Sequence, residues 1–206
     1  MSPTRLLVER RRSQMEFLVN TVLIRRLRPT DSIDDMTSML HRAFSRLGRM
    51  GLRCGAVDQP AEVTLERAER GDCYVAIEDE KIIGTMTLQA PARRSGCPWY
   101  RNDHVASLHQ LAVDPRDQGR GCGKALLSVA MRWARERGYR EIALDTPADA
   151  AHLIEFYRAQ GFRAVASFQR PDKSYRSAVL SKGVAPLPRA CGYALHRGGW
   201  QAGVRA

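Results

Sequence analysis

The stretch LAVDPRDQGRGCGKALL, residues 111–127, decides the fold. It runs from the end of an apolar segment through a proline and three glycines at alternate positions into a run with helical spacing. Because Gly119, Gly121 and Gly123 have no side chains, a phosphate can approach the backbone there, and the free N–H groups at a helix start attract it. The stretch therefore predicts a strand, an anion-binding loop and a long helix.

The pattern on both sides alternates between strands and helices. After the loop, Leu126, Val129, Ala130 and Trp133 recur at helical spacing, and Gly138 provides a C-terminal stop. The other predicted elements are, in chain order, a strand at 21–24, a helix over 33–44, a short helix over 63–71, a hairpin of 73–77 and 82–88, an exposed loop at 90–104, strands at 106–113 and 142–144, a helix over 153–157 ended by Gly161, and an antiparallel pair at 162–168 and 175–180. This order predicts an α/β domain of the α+β kind, built on one largely antiparallel mixed sheet.

The two ends of the chain differ from its centre. Residues 1–19 are basic and carry no clean period, so we expect a loose extension there. Residues 183–206 combine prolines with a glycine-rich end, which predicts a disordered tail. The sequence thus predicts one domain over residues 20–182.

The composition is that of a soluble globular protein, with 44% hydrophobic and 27% charged residues among 206. No segment approaches the ~18 apolar residues that a membrane span needs, and the N-terminus lacks the apolar core of a signal peptide. Five widely spaced cysteines without a C-x-x-C pair give no metal or redox motif. We therefore expect a cytoplasmic protein that needs no metal and has no membrane partner.

The net charge of +11 raises the alternative of a nucleic-acid-binding module. Much of the charge lies in the two ends, and a second group surrounds the glycine loop: Arg116, Arg120, Lys124, Arg132, Arg135, Arg137 and Arg140. A small polyanionic cofactor explains that group as well as a nucleic acid does, and so does a solvated basic face without a specific partner. Since no nucleic-acid recognition motif accompanies the charge, the nucleic-acid alternative is disfavoured.

Two nucleotide-binding motifs fail at the glycine loop. A P-loop requires glycine where Gln118 stands and serine or threonine where Ala125 stands. A dinucleotide fingerprint requires a small residue at position 126 or 124, which Leu126 and Lys124 occupy. The glycine loop is therefore predicted to bind its anion in a motif that is neither a P-loop nor a dinucleotide fingerprint.

The order Gln118-x-x-Gly121-x-Gly123, directly after the strand, resembles the acetyl-CoA signature of the GNAT superfamily of N-acetyltransferases. The resemblance continues in the helix that follows and in Glu-Phe-Tyr-Arg-Ala-Gln-Gly-Phe at 155–162, and by element order it covers roughly residues 20–182. It implies a GNAT-like sheet that splays between the strands at 107–113 and 141–145, with acetyl-CoA as co-substrate in the gap.

The resemblance also implies a set of cofactor-binding residues. Backbone groups of Leu111 and Val113 would pair with the pantetheine amides, and N–H groups of 118–125 would hold the pyrophosphate, aided by the charges of Arg120 and Lys124. The expected cofactor-binding residues are Leu111, Ala112, Val113, Gln118, Gly119, Arg120, Gly121, Cys122, Gly123, Lys124 and Ala125. One departure is Ala150, where the family often has an asparagine, and His152 is the candidate to replace that contact.

Acetyl transfer to an amine needs a free amine and a proton for the departing thiolate. By the resemblance, Tyr157 matches the position that acts on the sulfur. His109 matches a histidine in the corresponding strand of serotonin N-acetyltransferase and is the candidate base, since histidine titrates near neutral pH. Water or an acidic loop residue is the alternative base, and a packing role for either side chain stays open. Cys122 is expected to pack, because this family favours direct attack over a covalent intermediate.

The acceptor side is predicted only in outline. In this fold residues 44–66, the 90–104 loop and the turn at 169–175 would line it, with Trp99 and Tyr100 as an aromatic wall. Three arginines are candidates to meet an acidic part of the acceptor, with a solvated loop as the alternative for each: Arg93, Arg94 and Arg101. We expect a small-molecule primary amine; protein N-termini or lysines, and a non-catalytic CoA-binding sensor, are alternatives. A homodimer is left open.

Overall fold

The computed structural model describes residues 17–19, 21–171 and 173–185. Its strands and helices, in chain order, are β1 Phe17–Val19, β2 Val22–Arg26, α1 Ile33–Arg49, α2 Ala61–Glu69, β3 Asp72–Glu78, β4 Lys81–Gln89, β5 Val105–Val113, α3 Cys122–Glu136, β6 Glu141–Pro147, α4 Ala151–Ala159, β7 Arg163–Gln169 and β8 Arg176–Gly183. One-turn 3₁₀ helices lie at Gly55–Val57 and Pro98–Arg101.

The strands form one sheet in the order β1-β2-β3-β4-β5-β6-β8-β7. All neighbours are antiparallel except β5 and β6, which run parallel. This confirms the predicted mixed, largely antiparallel sheet flanked by helices.

Helices cover both faces of the sheet because alternate residues of each strand point to opposite sides. In β3, Val75 packs with α1 and α2 through a cluster that includes Met36 and Ala68, whereas Tyr74 packs in the cluster that holds Leu126 of α3. Helix α1 begins where the sequence predicts, because the Ser32 hydroxyl accepts a hydrogen bond from Asp35 N at 3.1 Å. Gly138 (φ 77°) follows the end of α3 in the left-handed region.

The ends of the ordered domain extend beyond the predicted bounds. Residues 17–19, expected in the loose extension, form β1 and pair antiparallel with β2. At the other end β8 continues to Gly183, and the buried Val184 donates its N–H to Arg140 O at 2.8 Å. The remaining parts of the predicted extension and tail, 1–16 and 186–206, lie outside the described residues.

The loop at 90–104 is not wholly exposed, contrary to the prediction. Cys97 and Tyr100 are 2% and 4% exposed and pack with Val105 of β5 and Val179 of β8. The Pro98–Arg101 turn directs the Tyr100 ring inward, where its hydroxyl donates to Asp145, so the Tyr100 side chain is accommodated without an orphaned polar group.

The sheet splays in the middle, between β5 and β6. Their parallel pairing is limited to residues 105–107 against 141–143. Beyond Ser107 the two strands separate, which leaves one edge of β5 without a strand partner among the described residues. This is the predicted gap.

A β-bulge in β5 accompanies the splay. Ala112 pairs with Thr85 and His109 with Thr87, so Gln110 and Leu111 together face the single residue Met86. Gln110 adopts a positive φ of 48°, which is rare for a side chain other than glycine. The bulge bends β5 next to His109 and so turns the strand away from β6.

No helix in the described ranges is long and apolar enough to cross a membrane. The four cysteines that the structure describes are all free thiols: Cys54, Cys73, Cys97 and Cys122.

Candidate active site

A cavity of about 1390 Å³ opens where β5 and β6 separate. Its wall is built from α1, the Gly55 turn, α2, β5, the glycine loop, the start of α3, β6, α4 and the 170–175 turn. Three groups of predicted residues meet in it: the β5 edge, the glycine loop, and the pair His109 and Tyr157.

The glycine loop has the geometry of an anion site. Gly119 and Gly121 have φ values of 80° and 90°, which a side chain rarely tolerates. A methyl group on either residue would meet nothing within 4 Å, so the backbone is open to a ligand. The N–H groups of residues 121–124 find no hydrogen-bond partner within the described part of the chain, and they lie at the positive end of the α3 dipole.

Two predicted cofactor contacts, the Ala125 N–H and the Arg120 guanidinium, do not fit as expected. The Ala125 N–H already donates to Gly121 O at 3.0 Å, because Ala125 begins the regular α3 ladder. The Arg120 guanidinium turns away from the cleft and forms ion pairs with Glu78 at 2.6 Å and Asp117 at 2.9 Å. Arg120, Cys122 and Ala125 line a separate, smaller cavity instead of the main one.

Cys122 is packed, as the sequence predicts. It is 5% exposed, and burial raises the pKa of its thiol to about 11. A thiol with that pKa is protonated at neutral pH and is a poor nucleophile. The side chain contributes packing against Gly84, where an added methyl group would lie 3.4 Å from its sulfur.

Two further contacts fix the loop to the sheet. The Gln118 side chain donates to Val113 O at 3.1 Å, so the predicted residue ties the loop back to β5. The sequence did not single out Arg42, whose Nε donates to Asp114 Oδ2 at 2.8 Å at the end of β5. Burial alone would raise the pKa of Asp114, but the bonds from Arg42 and the Arg116 N–H hold it below the usual value.

Tyr157 reaches the cavity from α4. It is 7% exposed and its ring packs edge-on against Phe156 and Phe162 at centroid distances of 5.2 and 5.8 Å. Burial, with a smaller effect of the Asp145 charge, raises the pKa of the phenol well above its ordinary value. Its hydroxyl has no hydrogen-bond partner within the described ranges, so it can donate to a ligand.

His109 faces the same cavity from β5. Its Nε2 lies 2.8 Å from Ser107 Oγ, and Tyr100 packs edge-on against the ring at 5.6 Å. Burial lowers the pKa of the imidazole, and although the Asp145 carboxylate opposes this, nearby arginines lower it further. His109 is therefore neutral at pH 7, the form that accepts a proton.

The structure also shows the surroundings of Ala150, where the sequence departs from the asparagine that the family often has. Ala150 is fully buried and offers no side chain to the cleft, while His152 lines the cavity from the first turn of α4. Burial, and then the charge of Arg46, lowers the pKa of His152. The His152 imidazole is thus neutral and can donate or accept a hydrogen bond, and it lies where we expected a replacement for the family's asparagine contact.

Of the three segments predicted to line the acceptor side, 44–66 and 169–175 contribute to the cavity wall, whereas the 90–104 loop does not. Trp99 and Tyr100 do not line the cavity; both belong to the buried cluster beneath the 90–104 loop. The three arginines of that loop also lie outside the wall, where the Arg101 Nε donates to Ser95 O and Arg93 is 3.9 Å from Asp103. The wall carries further basic residues that sequence reasoning missed, among them Arg67, Arg70, Arg170 and Lys173.

The chain can now be compared with known proteins. Residues 35–162, more than half of the chain, match the acetyltransferase (GNAT) family. S-(2-succino)cysteine N-acetyltransferase of Bacillus subtilis is 27% identical over 135 residues, 63% of this chain and 77% of that protein. An uncharacterised N-acetyltransferase of Methanocaldococcus jannaschii is 39% identical over 148 residues, 70% of this chain and 62% of that protein.

A structural comparison agrees. The crystal structure of the ribosomal-protein-S18-alanine N-acetyltransferase of Escherichia coli superposes with a TM-score of 0.59 at 18% identity, over 82% of this chain and 97% of that one. The chain belongs to the acetyltransferase (GNAT) family. It spans less than two thirds of the Methanocaldococcus relative, at 62%.

Proposed function

We propose that the chain transfers the acetyl group of acetyl-CoA to the primary amine of a small molecule, by direct attack in a ternary complex. The observation that carries this proposal is one continuous cavity that contains the unpaired N–H groups of 121–124, the open edge of β5, and both His109 and Tyr157. These features fit the pyrophosphate, the amide-bearing arm and the reactive end of acetyl-CoA.

In this proposal the loop and β5 bind the co-substrate. The N–H groups of residues 118–124 and the Lys124 ammonium hold the pyrophosphate, and backbone groups of Leu111 and Val113 pair with the pantetheine amides. His152 supplies a side-chain contact in place of the asparagine that this family often has at position 150. Arg120 acts indirectly, because its ion pairs with Glu78 and Asp117 brace the loop.

The chemistry uses the two titratable groups in opposite roles. Acetyl-CoA supplies an acetyl thioester. His109 takes the proton of the acceptor's ammonium, directly or through water, so that the free nitrogen bonds to the thioester carbonyl carbon. The carbon–sulfur bond breaks, and Tyr157 gives its proton to the departing thiolate. The second proton of the attacking nitrogen, released as the amide forms, returns to the Tyr157 oxygen through water. The products are the N-acetylated amine and CoA, and no step needs a metal.

The pKa directions support these roles. A phenol whose pKa is raised stays protonated and can act as an acid, whereas an imidazole whose pKa is lowered stays neutral and can act as a base. Tyr100 positions His109, since the Tyr100 ring packs on the imidazole and the Tyr100 hydroxyl is held by Asp145.

A small-molecule acceptor is favoured by one relative, the S-(2-succino)cysteine N-acetyltransferase of Bacillus subtilis. We also propose a cytoplasmic location, where acetyl-CoA is available and the four described thiols stay reduced.

A broad acceptor screen with detection of released CoA thiol tests the proposal. The panel holds amino acids, S-(2-succino)cysteine, polyamines, aminoglycosides and peptides with a free N-terminus or lysine, each with and without acetyl-CoA. The expected result is amine-dependent thiol release with at least one small molecule and acetylated product by mass spectrometry. Preference for the peptides would favour a protein acetyltransferase. Tight acetyl-CoA binding without turnover on any amine would favour a sensor.

A further inference from the structure

The basic residues in the acceptor half of the cavity are held in place by the fold. Arg67 of α2 is half-buried, and its Nη1 donates to the side-chain oxygen of Gln59. Gln59 is itself 4% exposed and donates to Thr64 Oγ1 at 2.7 Å. The same Gln59 oxygen accepts a hydrogen bond from Gln110 Nε2 at 3.2 Å. Two hydrogen bonds therefore connect the Arg67 guanidinium to the bulge residue that follows His109.

The backbone beneath Arg67 is shaped for it. A methyl group added at Gly55 would lie 2.6 Å from Arg67 Nη2, closer than nonbonded atoms approach. Gly55 does not have a positive φ, so the conformation of this residue does not require glycine. A methyl group at Gly55 would therefore fit only if the Arg67 guanidinium moved from its place against the cavity wall.

The charge around Arg67 is unbalanced. In the part of the chain that the structure describes, no carboxylate lies within ion-pair distance of Arg67. Burial and the charges of Arg70 and Arg170 lower its pKa. Only two carboxylates line the described cavity, and each is engaged elsewhere: Asp114 binds Arg42 and Asp145 accepts the Tyr100 hydroxyl.

We propose that the acceptor amine carries a carboxylate and that Arg67 binds this group; the neighbouring Arg70 is already ion-paired with Glu66. A guanidinium fork matches a carboxylate with two parallel hydrogen bonds. Bound there, the carboxylate would place the amine of a small acceptor near His109, since Arg67 is tied to the adjacent residue. Arg67 is also one of the three arginines whose charges lower the His109 pKa, after Arg170 and Arg70. The inference rests on the proposed acetyl transfer.

The test compares matched acceptor pairs. Mono- and dicarboxylic α-amino acids are each assayed beside the corresponding carboxamide, at equal concentrations of free amine, with wild type, Arg67→Gln and Arg93→Gln. Arg93 is the control because it is an exposed arginine outside the cavity. In the wild type, kcat/KM should be at least tenfold higher for the acid than for its amide. Arg67→Gln should remove most of that preference through KM, with kcat little changed, and Arg93→Gln should retain it.

Calorimetric binding of the same pairs to the CoA-bound protein separates this inference from the proposed function. The carboxylate subsite would be overturned, while acetyl transfer would stand, if the amides had the same kcat/KM as the acids. An equal loss of the preference for acids in Arg93→Gln would have the same consequence. Arg67-dependent binding of acids without turnover would support the subsite and count against acetyl transfer. If the protein showed no turnover and no selective binding of acids, both the carboxylate subsite and the proposed acetyl transfer would be overturned.

Discussion

The Tyr100 hydroxyl donates a 2.8 Å hydrogen bond to Asp145 Oδ1. This bond links the 90–104 loop to β6 beside the cavity. Tyr100 also packs edge-on against His109, and the Asp145 charge opposes the fall in the His109 pKa that burial causes. The pair therefore sets both the orientation and the proton affinity of the candidate base.

Asp145→Asn should move the acid limb of the pH profile to lower pH. In the wild type, kcat/KM should fall as pH drops through the His109 pKa, which lies below the ordinary 6.5. Removing the carboxylate removes the one charge that raises this pKa, while asparagine can still accept the Tyr100 hydroxyl. The measurement is kcat/KM against pH, corrected for acceptor ionisation. His109→Gln should abolish the limb; an acid limb unchanged in Asp145→Asn would show that His109 is not the titrating base.

Gly121→Asp should abolish acetyl-CoA binding. The residue has φ 90°, so any side chain strains the loop, and a carboxylate would repel the pyrophosphate. Lys124→Ala should weaken binding only about 3- to 10-fold, an effect of roughly 1 kcal/mol, since the backbone N–H groups remain. Calorimetry with acetyl-CoA measures both, and circular dichroism confirms folding. Undiminished affinity in folded Gly121→Asp would place the phosphates elsewhere.

Gly55→Ala should raise KM for a carboxylate acceptor several-fold while leaving acetyl-CoA affinity unchanged. The new methyl group would displace the Arg67 guanidinium without removing its charge. Gly96→Ala is the matched control, because a methyl group there meets nothing within 4 Å and the residue does not have a positive φ. Steady-state kinetics on both variants checks this, and equal KM values would contradict the placement of Arg67.

The glycine loop and α3 could be predicted from the sequence because their signals are local. The alternate glycines, the apolar spacing of Leu126 to Trp133 and the stop at Gly138 all act within one or two turns. The order of strands and helices along the chain could be predicted from the same kind of local pattern. The gap between β5 and β6 was predicted from the family resemblance.

The acceptor side could not be predicted in the same way, because it depends on contacts between distant segments. In the sequence, Arg67 and Arg70 look like the solvated face of a short helix. Only the fold brings Arg67 onto Gly55 and Gln59 and connects it to Gln110. Conversely, Tyr100 and Arg120 seemed free to face ligands until the fold provided Asp145 and Glu78 as partners.

The central claim, that the cavity performs acetyl transfer, depends on the role of Tyr157 as the acid. Tyr157→Phe keeps the ring and its packing on Phe156 and Phe162, so the fold and the affinity for acetyl-CoA should change little. The direct measurement is the single-turnover rate of acetyl transfer at saturating acetyl-CoA, on an acceptor that the wild type uses. The rate should fall by about 10²-fold, as for the loss of one general acid. A rate within twofold of the wild type would contradict the account and reduce Tyr157 to a packing residue.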